Sequence, residues 1–127
     1  MDLLLDTHIL LWFINGDKQL PAKIVETIKD IENKCFVSIV TIWEIVLKLS
    51  QDKLVIKGGF SVIENFIEDN DIEVIPITFE HTKRLLGLEF LHRDPFDRMI
   101  IAQSICENLI IVTKDSVFTG YKIKILW

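Results

Sequence analysis

The run Leu3-Leu4-Leu5 places the tightest constraint on this chain. Three consecutive large apolar residues without polar alternation suit a strand buried on both faces, as at the centre of a parallel sheet. The run ends at Asp6, and a helical pattern begins at once, with Ile9, Leu10, Trp12 and Phe13 at helical spacing. Asp6 therefore belongs where a buried strand turns into a helix. In open α/β sheets ligands bind on that edge, outside the carboxyl ends of the strands. The competing use of Asp6 or Thr7 is to cap the helix by accepting from its free N–H groups.

The rest of the chain repeats the alternation. Asn15-Gly16-Asp17 is a turn signal, and Leu20-Pro21 to Lys34 reads as a helix with Ile24, Val25, Ile28 and Ile31 on one face. A second buried strand spans Cys35 to Val40, and a helix runs from Thr41 to Leu54 with Ile42, Ile45, Val46 and Leu49 inward. Lys57-Gly58-Gly59 breaks the pattern before a helix from Phe60 to Asn70. Ile72 to Thr78 is a third strand, placed at an edge by Glu73 and Pro76. A helix over Phe79 to Leu88 and a polar loop from Glu89 to Arg93 follow. The spacing then predicts a long helix over Pro95 to Asn108 and a fourth buried strand over Leu109 to Thr113. A short irregular piece, Val117 to Tyr121, leads to Lys122–Trp127, which alternates like a strand with one wet face. Helices alternating with apolar strands imply a mostly parallel sheet of four to five strands, covered on both faces in three α/β/α layers. At 127 residues the chain fits one domain, 1–127, with one core.

Four acids fall at one edge of such a sheet. Asp6 ends the first strand, and Glu44 lies in the first turn of the helix after the second. Asp97 lies in the first turn of the helix leading to the fourth strand, which is followed by Asp115. Each has a local reading: Thr41 and Glu44 fit a capping box, Asp94 and Pro95 a helix start with Asp97 in its first turn, and Asp115 an Asx turn. Those readings do not require that all four share one edge. Crowded carboxylates repel and raise one another's pKa, and such a cluster is best tolerated when it holds a hard cation such as Mg²⁺ or Mn²⁺. The acids offer no Ser or Cys nucleophile. They suit a metal-activated water attacking a phosphodiester in line. Thr7, Asp94, Arg98 and Thr113 stand beside the acids as supporting residues. Lys48, Lys53, Arg93, Arg98 and Lys114 are candidates for gripping a nucleic-acid backbone.

Composition narrows the class. Net charge is −5, against a broad basic surface, yet compatible with a local basic rim around an acidic centre. Half the residues are hydrophobic and the mean hydropathy is +0.35, which points to apolar surface that meets a partner. No run is long enough to span a membrane, and the N-terminus lacks the basic start of a signal peptide. Cys35 and Cys106 have no metal or redox spacing and read as buried free thiols of a reducing cytoplasm. His8 and His81 lack evident partners for acid–base work, and Trp12 and Phe13 read as core packing.

Leu5-Asp6-Thr7-His8, the segment Ser38 to Ile45, the segment His92 to Gln103 with its Arg93-Asp94-Pro95-Phe96-Asp97-Arg98, and Val112 to Asp115 together resemble the motifs of PIN-domain proteins, above all VapC-type toxins of bacterial toxin–antitoxin pairs. The resemblance covers essentially the whole chain in order. It implies a three-layer α/β/α fold and an Mg²⁺- or Mn²⁺-dependent endoribonuclease with Asp6, Glu44, Asp97 and Asp115 as metal-binding acids. It implies cleavage of structured RNA, often tRNA or rRNA loops, a homodimer, and a VapB-like antitoxin whose tail blocks the site. Many members carry a further acid two residues after the last one; Val117 stands there in this sequence. The alternative is a PIN-like binding module without catalysis, against which the retained acids argue. A phospho-receiver domain is a weaker fit, because Asp6-Thr7-His8 lacks that class's paired acids.

Overall fold

Leu3, Leu4 and Leu5 are all fully buried in the computed structural model, which describes residues 1–127. They form β1 (Asp2–Leu5), the middle of a five-stranded sheet with β2 (Lys34–Ser38), β3 (Glu73–Ile75), β4 (Ile110–Val112) and β5 (Ile125–Leu126). The order is β3-β2-β1-β4-β5 and every pairing is parallel. Leu5 lies opposite Val37 on one side and Val112 on the other, so the strand ends that precede Asp6, Ser38 and Thr113 are level. β3 is an edge strand, as Glu73 and Pro76 imply.

Six helices cover the sheet: α1 (Thr7–Asn15), α2 (Ala22–Lys29), α3 (Ile39–Ser50), α4 (Ser61–Asp69), α5 (Phe79–Leu86) and α6 (Pro95–Glu107). Alternating side chains of β1 divide the core. Leu3 and Leu5 meet Ile9 and Leu10 of α1, Ile24 and Ile28 of α2, Ile45 of α3 and Ile63 and Ile67 of α4. Leu4 faces the other way, onto Ile100 and Ile101 of α6, Ile111, Phe118 and Tyr121, with Leu85 of α5 packed alongside. Burying each such side chain contributes about 1.5–3 kcal/mol. A three-layer α/β/α arrangement follows.

Element boundaries depart from the periodicity in instructive ways. The second helix ends at Lys29 rather than Lys34, because Asp30 turns extended and its carboxylate accepts from the Glu32 N–H. Lys34 joins the sheet opposite Asp2, leaving Ile31 95% exposed instead of on a helix face. α3 starts at Ile39, not Thr41. Ser38 stops the strand and accepts from the Val40 N–H at 3.1 Å, so Ile39 and Val40 leave the sheet for the helix. An unbroken apolar run does not itself mark where a strand becomes a helix. Val46 faces outward, 41% exposed, rather than inward with Ile42, Ile45 and Leu49. The irregular piece is a 3₁₀ turn, Ser116–Gly120, and only Ile125 and Leu126 of the last segment pair with β4. Of the two free thiols Cys35 is buried, but Cys106 is exposed, on the outer side of α6.

Candidate active site

The acids occupy the carboxyl edge of the sheet because strand ends and helix starts meet there. Asp6 links β1 to α1. It is 4% exposed, its Oδ1 accepts from the Ile9 N–H at 2.9 Å as the helix cap, and its Oδ2 accepts from the Thr113 hydroxyl. Thr113 follows β4, so this contact joins the ends of neighbouring strands 107 positions apart. The Thr113 hydroxyl also accepts from the Asp115 N–H at 3.0 Å. Asp115 accepts from the Val117 N–H, the Asx turn read from the sequence, and its side chain lies close enough to Asp6 to disfavour a second charge there.

Glu44 is not part of a capping box. With Ser38 as the cap, it falls in the second turn of α3. Its Oε1 instead accepts from the Thr7 hydroxyl at 2.7 Å, and its Oε2 pairs with Lys48 at 3.0 Å. Thr7, the first residue of α1, thereby ties Glu44 to the segment that carries Asp6. Asp97 sits at the third position of α6, behind Pro95 at the first and Asp94 at the cap. Asp94 accepts from the N–H groups of Phe96 and Asp97 at 2.9 and 3.0 Å.

The acids thus come together as two pairs, Asp6 with Asp115 and Asp97 with Glu44, with the Thr7–Glu44 hydrogen bond between them. Crowding alone is a sufficient reason in the sequence for raised pKa values, but burial is the larger cause. Desolvation pushes the Asp6 carboxyl above its usual range, against the hydrogen bonds from Thr113 and Ile9, and Asp115 adds a smaller push. Desolvation pushes Asp97 up to about 6, eased by the His92 hydrogen bond and raised further by Asp94 and Glu44.

His92, which the sequence places only in a polar loop, is a further residue of the site. Its Nε2 lies 2.9 Å from Asp97 Oδ2. The available signal was Asp94-Pro95, which starts a helix and so places His92 just ahead of the turn that carries Asp97. His92, Asp94 and Asp97 hold their ligand atoms within 4.8 Å of one another. His81, by contrast, is wired structurally: 1% exposed, it accepts from the Thr78 N–H at Nδ1 and meets Glu107 through Nε2 at 2.8 Å.

Arg98 requires a correction as a backbone-gripping candidate. It is 7% exposed, and its guanidinium donates to the carbonyls of Leu88, Glu89 and His92 and to the Tyr121 hydroxyl while stacking on Phe90. A buried guanidinium whose two terminal nitrogens are spent on these acceptors is not free to bind phosphate. Its work is to hold the loop that carries His92. Lys48 is likewise engaged, by Glu44. Arg93, Lys53 and Lys114 are exposed and make no ion pair. Arg98→Ala strands several carbonyls and the Tyr121 hydroxyl at once. It is expected to lower stability by about 3 kcal/mol, given roughly 1–3 kcal/mol for each buried group left unpaired. Urea unfolding reads this, and an Arg98→Ala protein within 0.5 kcal/mol of the parent, an ordinary surface change, contradicts the clamp.

The donor set suits a hard divalent cation. It is built from carboxylate oxygens, two of them buried enough to resist ionising without a compensating positive charge.

The PIN domain family model matches residues 3–124. The chain belongs to the PIN domain family. No curated protein sequence matches it significantly. Among solved structures it is similar to VapBC2 from Rickettsia felis, in a complex bound to a DNA fragment from their promoter, with a TM-score of 0.78, 20% identity, and coverage of 99% of this chain and 98% of that one. DNA-bound VapBC from Salmonella typhimurium gives 0.77 and 21%, covering 99% and 97%. VapBC-1 from nontypeable Haemophilus influenzae gives 0.69 and 15%, covering 99% and 97%. These likenesses establish the fold. No helix of this chain is long and apolar enough to cross a membrane.

Proposed function

We propose that this chain is a metal-dependent endoribonuclease, the VapC-like toxin of a toxin–antitoxin pair, acting as a single PIN unit over 1–127. The observation that carries the reading is a pair of carboxylates shielded from water, Asp6 buried and Asp97 half-buried, each backed by a second acid at the carboxyl edge of the sheet. Asp6, Glu44, Asp97 and Asp115 would hold Mg²⁺ or Mn²⁺. The cation supplies an activated water and stabilises charge developing on the phosphate.

The chain's own contribution is to arrange the carboxylates beforehand. Thr113 and the Ile9 N–H fix both oxygens of Asp6, Thr7 fixes one oxygen of Glu44, and His92 fixes Asp97. Asp94 anchors the first turn of α6, and Arg98 holds the loop that leads into it. Arg93 and Lys114, exposed beside the acids, attract the RNA backbone. Structured RNA, such as tRNA or rRNA loops, is the substrate class. An exposed apolar stripe on α3, Ile39, Trp43 and Val46, supports association, here assigned to a homodimer and a VapB-like antitoxin in the cytoplasm.

The purified protein is expected to cleave loop-containing RNA when Mg²⁺ or Mn²⁺ is added and to stop when EDTA removes it. Cleavage that continues in excess chelator, or no cleavage of any RNA with either metal, refutes the assignment.

A further inference from the structure

A cavity of about 420 Å³ opens directly beside Asp6 and Asp115, and its other walls are not acidic. They are His8 and Trp12 of α1, Gln19 from the loop after α1, Lys114 and Ser116. His8 and Trp12 are one helical turn apart on the same face, with ring centroids 6.0 Å apart. Trp127 also lies against Trp12, with ring centroids 6.4 Å apart and the rings tilted rather than stacked, so the indole is held by core neighbours and Trp127 while it also lines the cavity. Lys114 has no ion-pair partner, and the Gln19 carboxamide makes only a long 3.4 Å contact to Asp17. A hard cation needs oxygen donors and no aromatic wall. The cavity therefore offers more than a metal requires.

We propose that this cavity is a nucleotide subsite, which takes the unpaired RNA base next to the phosphate held at Asp6 and Asp115. The inference rests on the nuclease reading and adds to it where one base of the substrate sits. The base stacks on Trp12, because every base offers a π face and an aromatic platform accepts it in single-stranded RNA. Gln19 supplies a donor and an acceptor at the mouth, suited to the edge of a base. Lys114 faces the neighbouring phosphate, where its charge is unspent. The volume falls within the range of small-ligand sites, and the position is the strand-end edge where open α/β sheets bind ligands. A larger cavity of about 520 Å³ lies at the opposite edge, around Lys34 and Cys35, away from the acids.

The test uses the full chain with Mn²⁺ and short single-stranded RNAs, randomised in sequence or carrying one abasic nucleotide at successive positions around the cut. One abasic position is expected to lower kcat/KM of the parent about tenfold, the effect of losing one base–aromatic stack. Trp12→Leu should show the same loss on intact RNA and no further loss on the abasic RNA. Gln19→Ala should flatten base preference at that same position, and Lys114→Ala should raise KM and reduce the salt dependence of binding. The abasic arm leaves the protein untouched, so it stands even if Trp12→Leu folds poorly. A parent that cleaves normally with abasic nucleotides at every position overturns the subsite while leaving the nuclease reading intact. Variants that cleave as the parent does but escape inhibition by an oligo-arginine peptide assign the cavity to a protein segment and overturn it too. A parent with no metal-dependent cleavage at all removes the nuclease reading, and the subsite with it.

Discussion

Asp97→Asn is expected to reduce metal-dependent RNA cleavage at least a hundredfold, the scale on which loss of a preorganised electrostatic group lowers kcat, while making the metal-free protein more stable at neutral pH. The two effects have one origin. Burial pushes the Asp97 carboxyl up to about 6, against roughly 3.9 in an unfolded chain. Between those values the native state keeps a proton that the unfolded chain has released. Stability of the metal-free parent therefore falls as pH rises from about 4 through 6 and stays low above it. Asparagine does not titrate, yet its side-chain oxygen still accepts from His92. The variant should match the parent's trend below about pH 4 and exceed the parent in stability by about 3 kcal/mol at pH 7, since each pKa unit corresponds to about 1.36 kcal/mol. Urea unfolding in EDTA across this range, with cleavage assays beside it, checks both. A variant clearly less stable than the parent at pH 7 would make Asp97 a stabilising helix-start residue, and full cleavage would remove it from the site.

Mn²⁺ at a hundredfold excess over its dissociation constant is expected to stabilise the parent by about 2.7 kcal/mol, and Asp6→Asn should lose most of that gain. Asparagine caps helices as well as aspartate does, so the Ile9 N–H keeps its acceptor and the fold has reason to survive. What goes is the charge. Because burial holds the Asp6 carboxyl above its usual range, protons compete with the metal there, and the stabilisation by Mn²⁺ should shrink as pH falls through the carboxylate range. Thermal unfolding with Mn²⁺ or EDTA separates the cases. Equal stabilisation of parent and variant would move the metal away from Asp6.

Much of this architecture is written locally. Leu3 to Leu5 announce a strand buried on both faces, and that strand is the centre of the sheet. Pro76 and Glu73 mark an edge strand, and Asp94-Pro95 marks a helix start; both stand in the structure. Boundaries were less legible where apolar residues run without a break. From Phe36 to Ile42 nothing in the hydrophobicity separates strand from helix, and a single hydroxyl, that of Ser38, decides the point. This shift of two residues moves Glu44 from a capping position to the second turn, where it meets Thr7 rather than its own helix start.

The partners of charged groups were legible least of all. Arg98 reads from sequence as a cation beside an acid, suited to phosphate; in the folded chain it is spent on the Leu88–His92 loop and Tyr121. Trp12 reads as core and does pack there, yet it also lines the cavity beside Asp6. His92 reads as part of a polar loop and lies against Asp97.

The sequence by itself determined the class of fold, the order of its elements and the edge at which Asp6, Glu44, Asp97 and Asp115 gather, because apolar periodicity and the direction of parallel strands are properties of short stretches of chain. Only the tertiary structure decided which hydroxyl holds which carboxylate, which cations are free and which acids resist ionisation. Those depend on contacts such as Thr113 to Asp6, made between strands that are neighbours in the sheet and 107 residues apart in the chain, and on burial, which belongs to the packed whole.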